Sequence, residues 1–475
     1  MRGRGGRGVV HPAIIAYPAR GRFRSTVRGF GTGARVHTLN MLNIWDGAQW
    51  RARQCPCVGS EGDTTWHGWA LPGLVNAHAH AFQRAMAGLA ERRAGAEDSF
   101  WSWRETMYAL AMRFDPERLH AVAAQSYVEM LEAGYTHVCE FHYLHHDPDG
   151  RPYAPASAMA DALIDAARET GIGLTLLPTL YISGGFDGRP LAARQRRFAH
   201  TVESFLALIE TLRARETPGL VVGIALHSLR AVPASALRAV LDSGLAARGP
   251  IHIHVAEQTG EVDACLAATG QRPVAWLLDH APVDARWCLV HATHMDADET
   301  LRLARSGAVV ALCPSTEANL GDGLFALPAF LAEGGRIAIG SDSNISISPV
   351  EELRWLEYGQ RLLHRARNLA SSAQQPHSGE RLFGLALAGG RQAAGLDIDM
   401  EARADADAVI ELDATHALLA GRRPGEVLDS WIFAGNAPLL RAACVRGRML
   451  VRGGQHLQRE VVARRYRQAL AVLRD

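Results

Sequence analysis

Two histidines separated by one alanine end an apolar run, "LVNAHAH" (74–80), placing His78 and His80 two residues apart. On a strand, residues two apart share a face, so both imidazoles can reach one ion. Related patterns recur downstream. "IHIHVAE" (251–257) carries His252, His254 and Glu257, "LVHATH" (289–294) carries His291, and "IGSDS" (339–343) carries Asp342. Neutral imidazole and carboxylate are suitable ligands for a borderline-soft divalent cation such as zinc. One histidine at one strand end is more often a packed core residue than a ligand. Ligand-type residues at four strand ends point instead to a metal site that activates water.

Composition removes other chemistries. The chain of 475 residues has no lysine, and its fifty basic residues are all arginine. A Schiff-base lysine, a P-loop lysine and a carbamylated lysine bridging two metals are therefore excluded. A net charge of +1 gives no reason to expect nucleic acid or an anionic membrane as partner. No apolar run is long enough to span a bilayer. The seven cysteines are odd in number and scattered, which reads as reduced thiols in a cytoplasmic protein. Cys55-Pro-Cys57 is the only close pair, with no second pair at structural-zinc spacing around it.

The elements that must position these residues follow from the apolar pattern. Candidate strands lie at 71–77, 135–141, 172–179, 220–226, 250–256, 287–292, 307–314 and 335–342. Helical patterns such as 116–134 and 198–215 separate most of them. Largely apolar strands alternating with helices predict a parallel sheet covered on both sides. Eight such units fit an α/β fold of the (β/α)8 TIM-barrel type, whose active site lies at the C-terminal strand ends. A doubly wound open sheet is the competing architecture, but no G-x-G-x-x-G opens a helix after any strand.

Residues 69–395 form the expected barrel. Short strands at 403–413, 429–435 and 442–454 suggest that 396–457 contribute to a small flanking β-sandwich, shared with 36–68. A helix at 458–475 closes the chain. Residues 1–35 hold eight arginines, eight glycines and no acid, and read as a disordered extension. His252 lies two residues deeper on its strand than His254 and is expected to be structural.

The motifs "PGLVNAHAH", "HVAE", "VHATH" and "IGSDS" together resemble the amidohydrolase superfamily. The missing lysine is similar to its mononuclear deaminase branch. The resemblance implies that His78, His80, His254 and Asp342 hold one divalent metal ion per subunit, zinc first among the candidates. It implies further that Glu257 and His291 transfer protons, with Asp342 beside them. Hydrolysis at a C=N carbon with release of ammonia is the chemistry such a site performs.

The flanking stretches narrow the substrate. "HAHAFQRAMAGLAE", "FWSWRETMY", "EFHYLHH" and "HSLRAV" resemble the formimidoylglutamate deiminases of bacterial histidine degradation. That family converts N-formimidoyl-L-glutamate and water to N-formyl-L-glutamate and ammonia. The resemblance implies that Gln83, Arg104, Tyr143, His227 and Arg230 contact a small dicarboxylate, and that the chain forms a homodimer. Arginine's planar fork suits carboxylates. An aminopyrimidine, purine or triazine deaminase is the second enzymatic reading, and a non-catalytic barrel that only binds is the third. His145 and His146, followed by the turn "DPDG", are expected as exposed loop residues. The stretch 54–69 departs from the family pattern, leaving the N-terminal half of the small domain in doubt.

Overall fold

The computed structural model describes residues 41–45, 50–54, 68–92, 100–396 and 408–474. The Arg/Gly-rich stretch 1–35, the Cys55-Pro-Cys57 pair and residues 397–407 lie outside the described residues.

The chain enters through β1 (Met41–Trp45), β2 (Trp50–Gln54) and β3 (Trp69–Pro72), then crosses into a second sheet with β4 (Leu74–Ala79). The barrel continues through β5 (Tyr135–His142), β6 (Gly173–Leu180), β7 (Leu220–Val222) and β8 (Ile224–Ser228). It is completed by β9 (Ile251–Val255), β10 (Trp287–His291), β11 (Val309–Leu312) and β12 (Arg336–Ile339). After it come β13 (Ala408–Leu412), β14 (Leu440–Val445), β15 (Arg448–Arg452), β16 (Gln455–His456) and a helix, Arg459–Arg474.

Strands β4 to β12 run parallel, with β7 and β8 together making the fourth barrel stave. Gly223 divides that stave because a side chain there would meet the Pro250 carbonyl at 2.7 Å. Every residue of β4, β5, β6, β9 and β10 is buried, as expected for strands covered on both faces. The covering helices show the expected end signals. In Pro116–Ala133, the Asp115 side chain accepts from the Arg118 amide, and Gly134 closes the helix at φ 111°.

The ring closes thinly. Between β4 and β12 there is a single bridge, Ala79 to Asp342, in which the His80 amide donates to the Asp342 carbonyl and the Asp342 amide to the His78 carbonyl, both at 2.9 Å. Gly340 permits that approach, since a Cβ there would stand 2.6 Å from the His78 carbonyl.

Several expectations need correction. The apolar run 71–77 is two strands, because the chain kinks at Gly73, where any side chain would collide with Thr136. Residues 429–435 are not a strand: Val427–Phe433 is a helix, packed through Val427, Leu428 and Ile432 into the main core. The flanking unit is one seven-stranded sheet, ordered β16-β15-β14-β13-β3-β1-β2, built from N- and C-terminal segments as expected. The doubtful N-terminal half does supply strands, β1 and β2, and β3 joins them to β13. Cys139, Cys265, Cys288 and Cys313 are free and buried, but Cys444 departs from the reduced set and is disulfide-bonded. Among the described residues, no helix is long and apolar enough to cross a membrane.

Candidate active site

The strand ends deliver the expected residues to one place. Nε2 of His78 and Nε2 of His80 each lie 3.3 Å from Oδ1 of Asp342, and His254 Nε2 lies 3.1 Å from His78 Nε2. Four ligands about 2.0–2.1 Å from a tetrahedral ion stand roughly 3.3–3.4 Å from one another, so these separations fit one small divalent cation.

The outward nitrogens strengthen that fit. His80 Nδ1 lies 2.8 Å from the Phe141 carbonyl and His254 Nδ1 lies 2.9 Å from the His227 carbonyl. A carbonyl only accepts, so both rings carry their proton on Nδ1 and turn a bare Nε2 lone pair inward. Burial keeps the rings uncharged. It lowers His78 to about 3 against the opposing Asp342 hydrogen bond, lowers His80, and lowers His254 well below its usual value. For Asp342, burial would raise the pKa, but the His78 hydrogen bond and the surrounding imidazoles outweigh it and leave the carboxyl low. Bare lone pairs converging on a carboxylate oxygen call for a cation, and more than one proton on His78 could satisfy.

Backbone and amide groups hold the cage. Asn76 Nδ2 donates to Ser341 Oγ at 2.6 Å, and the Ser341 amide returns to Asn76 Oδ1 at 3.0 Å. Ser341 Oγ donates to Asn344 Oδ1 at 2.6 Å, and Asn344 Nδ2 donates to the His80 carbonyl at 2.9 Å. Glu140 is buried behind the first strand, where Oε1 accepts from the Ala81 amide at 2.7 Å. Phe141 packs against three of the ligand rings.

Beside the cage, His291 Nε2 is 3.7 Å from Glu257 Oε1 and 3.8 Å from Asp342 Oδ2. Its Nδ1 lies 3.1 Å from Glu317 Oε1. Burial raises Glu257 to about 7, with the His291 charge opposing and Asp342 adding to the effect. For His291, burial lowers the pKa, but Glu257, the Glu317 hydrogen bond and Asp342 carry it up to about 10. A divalent charge next to Asp342 pulls the other way. His291 and Asp342 have φ of 69° and 44°, unusual for non-glycine residues and a form of strain often found at functional sites.

Of the eleven site residues expected from sequence, ten line one cavity, while His78 lies buried within the ligand cage. Gln83 sits on the 3-10 turn Ala81–Met86, Arg104 on the helix Phe100–Ala111, Tyr143 just after β5, and His227 and Arg230 at the end of β8. Gln83 Nε2 donates to the Tyr143 hydroxyl at 2.8 Å, and Gln83 Oε1 is buried without a hydrogen-bond partner. Burial lowers the Arg104 pKa, Tyr108 opposes this, and the nearby Arg230 charge adds to it.

Other expectations resolve differently. His252 is structural, as expected, with Nε2 on the Ala393 carbonyl at 2.7 Å. His145 is not exposed: it is 2% exposed, with Nε2 on the Thr179 carbonyl at 3.0 Å, and His146 is half-buried against the Ala199 carbonyl. Sequence reasoning missed Tyr181 and Phe198 in the cavity wall, and Asn76, Ser341 and Asn344 behind the cage. "SDSN" (341–344) was the one available signal for the last group. A larger groove beside Trp355 and Tyr358 contains none of this chemistry.

Comparison with known proteins agrees with this geometry. The chain is 49% identical over 421 residues to the formimidoylglutamate deiminase of Pseudomonas aeruginosa, covering 88% of this chain and 93% of that protein. The crystal structure of an amidohydrolase from Brucella melitensis matches with a TM-score of 0.83 and 45% identity, over 92% of this chain and 100% of that one. An adenosine deaminase from Xanthomonas campestris with bound zinc shares the fold at 20% identity, with a TM-score of 0.71 over 86% of each chain. Residues 69–410 match the amidohydrolase family along their whole span, and the chain belongs to that family.

Proposed function

We propose that this protein hydrolyses N-formimidoyl-L-glutamate to N-formyl-L-glutamate and ammonia. The carrying observation is that one cavity joins an imidazole–carboxylate cage to two arginines, Arg104 and Arg230. The likeness to the Pseudomonas aeruginosa deiminase supports the same reading.

His78, His80, His254 and Asp342 would hold one divalent ion, zinc in this reading. Such an ion supplies a water whose pKa falls to about 7. Arg104 and Arg230 orient the substrate by its two carboxylates through charge-assisted hydrogen bonds. Gln83 Oε1, buried without a partner, can accept an N–H of the formimino group, and Tyr143 and His227 wall its flank. His291 and Asp342 lie where they can take the proton of the attacking water. Glu257 delivers one proton to the formimino nitrogen, the proton of the new hydroxyl group reaches the same nitrogen through Asp342, and the first water proton returns from His291 to Glu257. The C–N bond to that nitrogen then breaks, NH3 leaves, and the carbon keeps the water oxygen as a formyl group. The atoms of one amidine and one water are thereby conserved in one amide and one ammonia.

We extend the proposal to a cytoplasmic homodimer. Four free, buried cysteines suit that compartment, while the disulfide at Cys444 runs against it. Exposed apolar side chains along Pro349–His364, namely Trp355, Tyr358, Leu362 and Leu363, support self-association.

The test is ammonia release coupled to N-formylglutamate formation by purified, metal-replete protein. Equal amounts of both products are expected. No ammonia at one metal ion per subunit would refute the assignment.

A further inference from the structure

We propose that Glu317 is a positioning residue for this reaction, fixing His291 in the tautomer and orientation that leave Nε2 free to accept a proton. The inference rests on the hydrolytic reading above.

Glu317 belongs to the short helix Pro314–Leu320 and is 5% exposed. Its Oε1 accepts from two groups, the Cys313 amide at 2.9 Å and His291 Nδ1 at 3.1 Å. The first contact holds the carboxylate against its own helix start, so the oxygen offered to His291 is itself fixed. A neutral imidazole carries one N–H. The divalent charge beside Asp342 favours this neutral ring over the imidazolium, and with its one proton on Nδ1 directed at Glu317, Nε2 keeps its lone pair. This nitrogen faces Glu257 Oε1 at 3.7 Å and Asp342 Oδ2 at 3.8 Å, on the side where the reacting water is placed. The opposite tautomer would turn an N–H towards the water and could not take its proton.

The neighbouring rings do not select a tautomer, and the carboxylates facing Nε2 stand beyond hydrogen-bond distance. His254 stacks with it at 5.8 Å between centroids, and His78 meets it edge-on at 6.1 Å. The left-handed backbone of His291, φ 69°, frees the ring from the regular direction of β10 side chains, so an external anchor has to set its direction. Glu317 does not line the substrate cavity, so it acts through His291. An aspartate holding a catalytic histidine in a serine-protease triad works by the same logic on an unrelated fold.

Cys313, His291 and Glu317 also form a set of unlike ligand atoms within 4.8 Å of one another. The His291–Glu317 hydrogen bond already occupies two of those ligands. Burial holds the Cys313 thiol well above its usual pKa, in the protonated form that does not bind metal.

The experiment compares E317A and E317Q with the wild type, each loaded with one zinc ion, measuring kcat, KM and metal content. E317A should lose about 100-fold in kcat, with KM and metal content unchanged. E317Q keeps an oxygen acceptor and should recover roughly a tenth of wild-type kcat or more. A kcat within about threefold of wild type in E317A, a KM that rises as far as kcat falls, or loss of a metal equivalent would each overturn the proposal. If E317A does not fold, 15N-histidine spectra of the wild type decide, with H291N assigning the signal. A protonated Nδ1 and a pyridine-type Nε2 at His291 support the proposal, and the reverse overturns it. An inactive but metal-replete wild type would sink the substrate reading, and the same spectra would still test Glu317.

Discussion

Asp342 and His78 grip one another twice across the closing seam of the barrel. The Asp342 amide donates to the His78 carbonyl at 2.9 Å, and His78 Nε2 lies 3.3 Å from Asp342 Oδ1. The ligand cage and the closure of the sheet are therefore one structure. Beneath them, Asn76, Ser341 and Asn344 form a buried clasp that ends on the His80 carbonyl.

Loosening the clasp should loosen the metal. Asn344→Ala removes the amide donor to the His80 carbonyl and the acceptor of the buried Ser341 hydroxyl, at a cost of about 1–3 kcal/mol. Chelator competition should show metal held about 10- to 100-fold more weakly, with a lowered Tm. Gly340→Ala should act in the same direction, because its Cβ would press on the His78 carbonyl. Wild-type metal retention in both variants would show that the seam does not set the cage.

The two arginines should matter only to an anionic substrate. Arg230→Ala and Arg104→Met each remove a charged hydrogen-bond donor worth about 1.5–3 kcal/mol. The expected loss in kcat/KM on N-formimidoylglutamate is about 10- to 100-fold, concentrated in KM. On a neutral formamidine the same variants should change little. Equal losses on both substrates would assign the arginines to the scaffold.

Glu140 carries a stability signature that depends on pH. Burial raises its carboxyl to about 8, against the lowering effect of hydrogen bonds from the Ala81 amide and the Tyr127 hydroxyl. Between the ordinary glutamate pKa and about 8, the folded chain binds a proton that the unfolded chain has lost, so this group's contribution falls as pH rises through that window. Glu140→Gln removes the dependence while keeping an acceptor for Ala81. Its advantage over the wild type should be small near pH 4.5 and approach roughly 5 kcal/mol by pH 9. Denaturant unfolding at several pH values measures this, and a constant difference would contradict it.

Stripping the metal should cost both activity and stability. The bare chain brings inward lone pairs together with nothing between them, so chelation should lower Tm as well as abolish turnover. One equivalent of zinc should restore both, read by calorimetry alongside ammonia release. Recovery that requires two equivalents would point to a second site.

What could be read from sequence was governed by local period. His78, His80, His254, His291 and Asp342 end apolar strands, and that pattern survives without knowledge of any partner. Gly73 was lost because the apolar run continues on both sides of it, although the two halves belong to different sheets. "DSWIFAG" was misread because its short Trp-Ile-Phe run suits a strand as well as a buried helix. His145 was assigned to solvent from the turn after it, but its partner, the Thr179 carbonyl, lies 34 residues away. Glu317 meets His291 across 26 residues and Asn344 meets His80 across 264, so neither had a local signature.

The thin seam also sets a timetable. His78 and His80 are synthesised early, whereas Asn344, which clasps the His80 carbonyl, follows His80 by 264 residues, with Asp342 just ahead of it. At about 5–20 residues per second, the ribosome leaves the two histidines without their carboxylate for roughly 13–50 s. During that interval the growing chain offers only part of a cage, so secure capture of the ion belongs to the last stage of its manufacture.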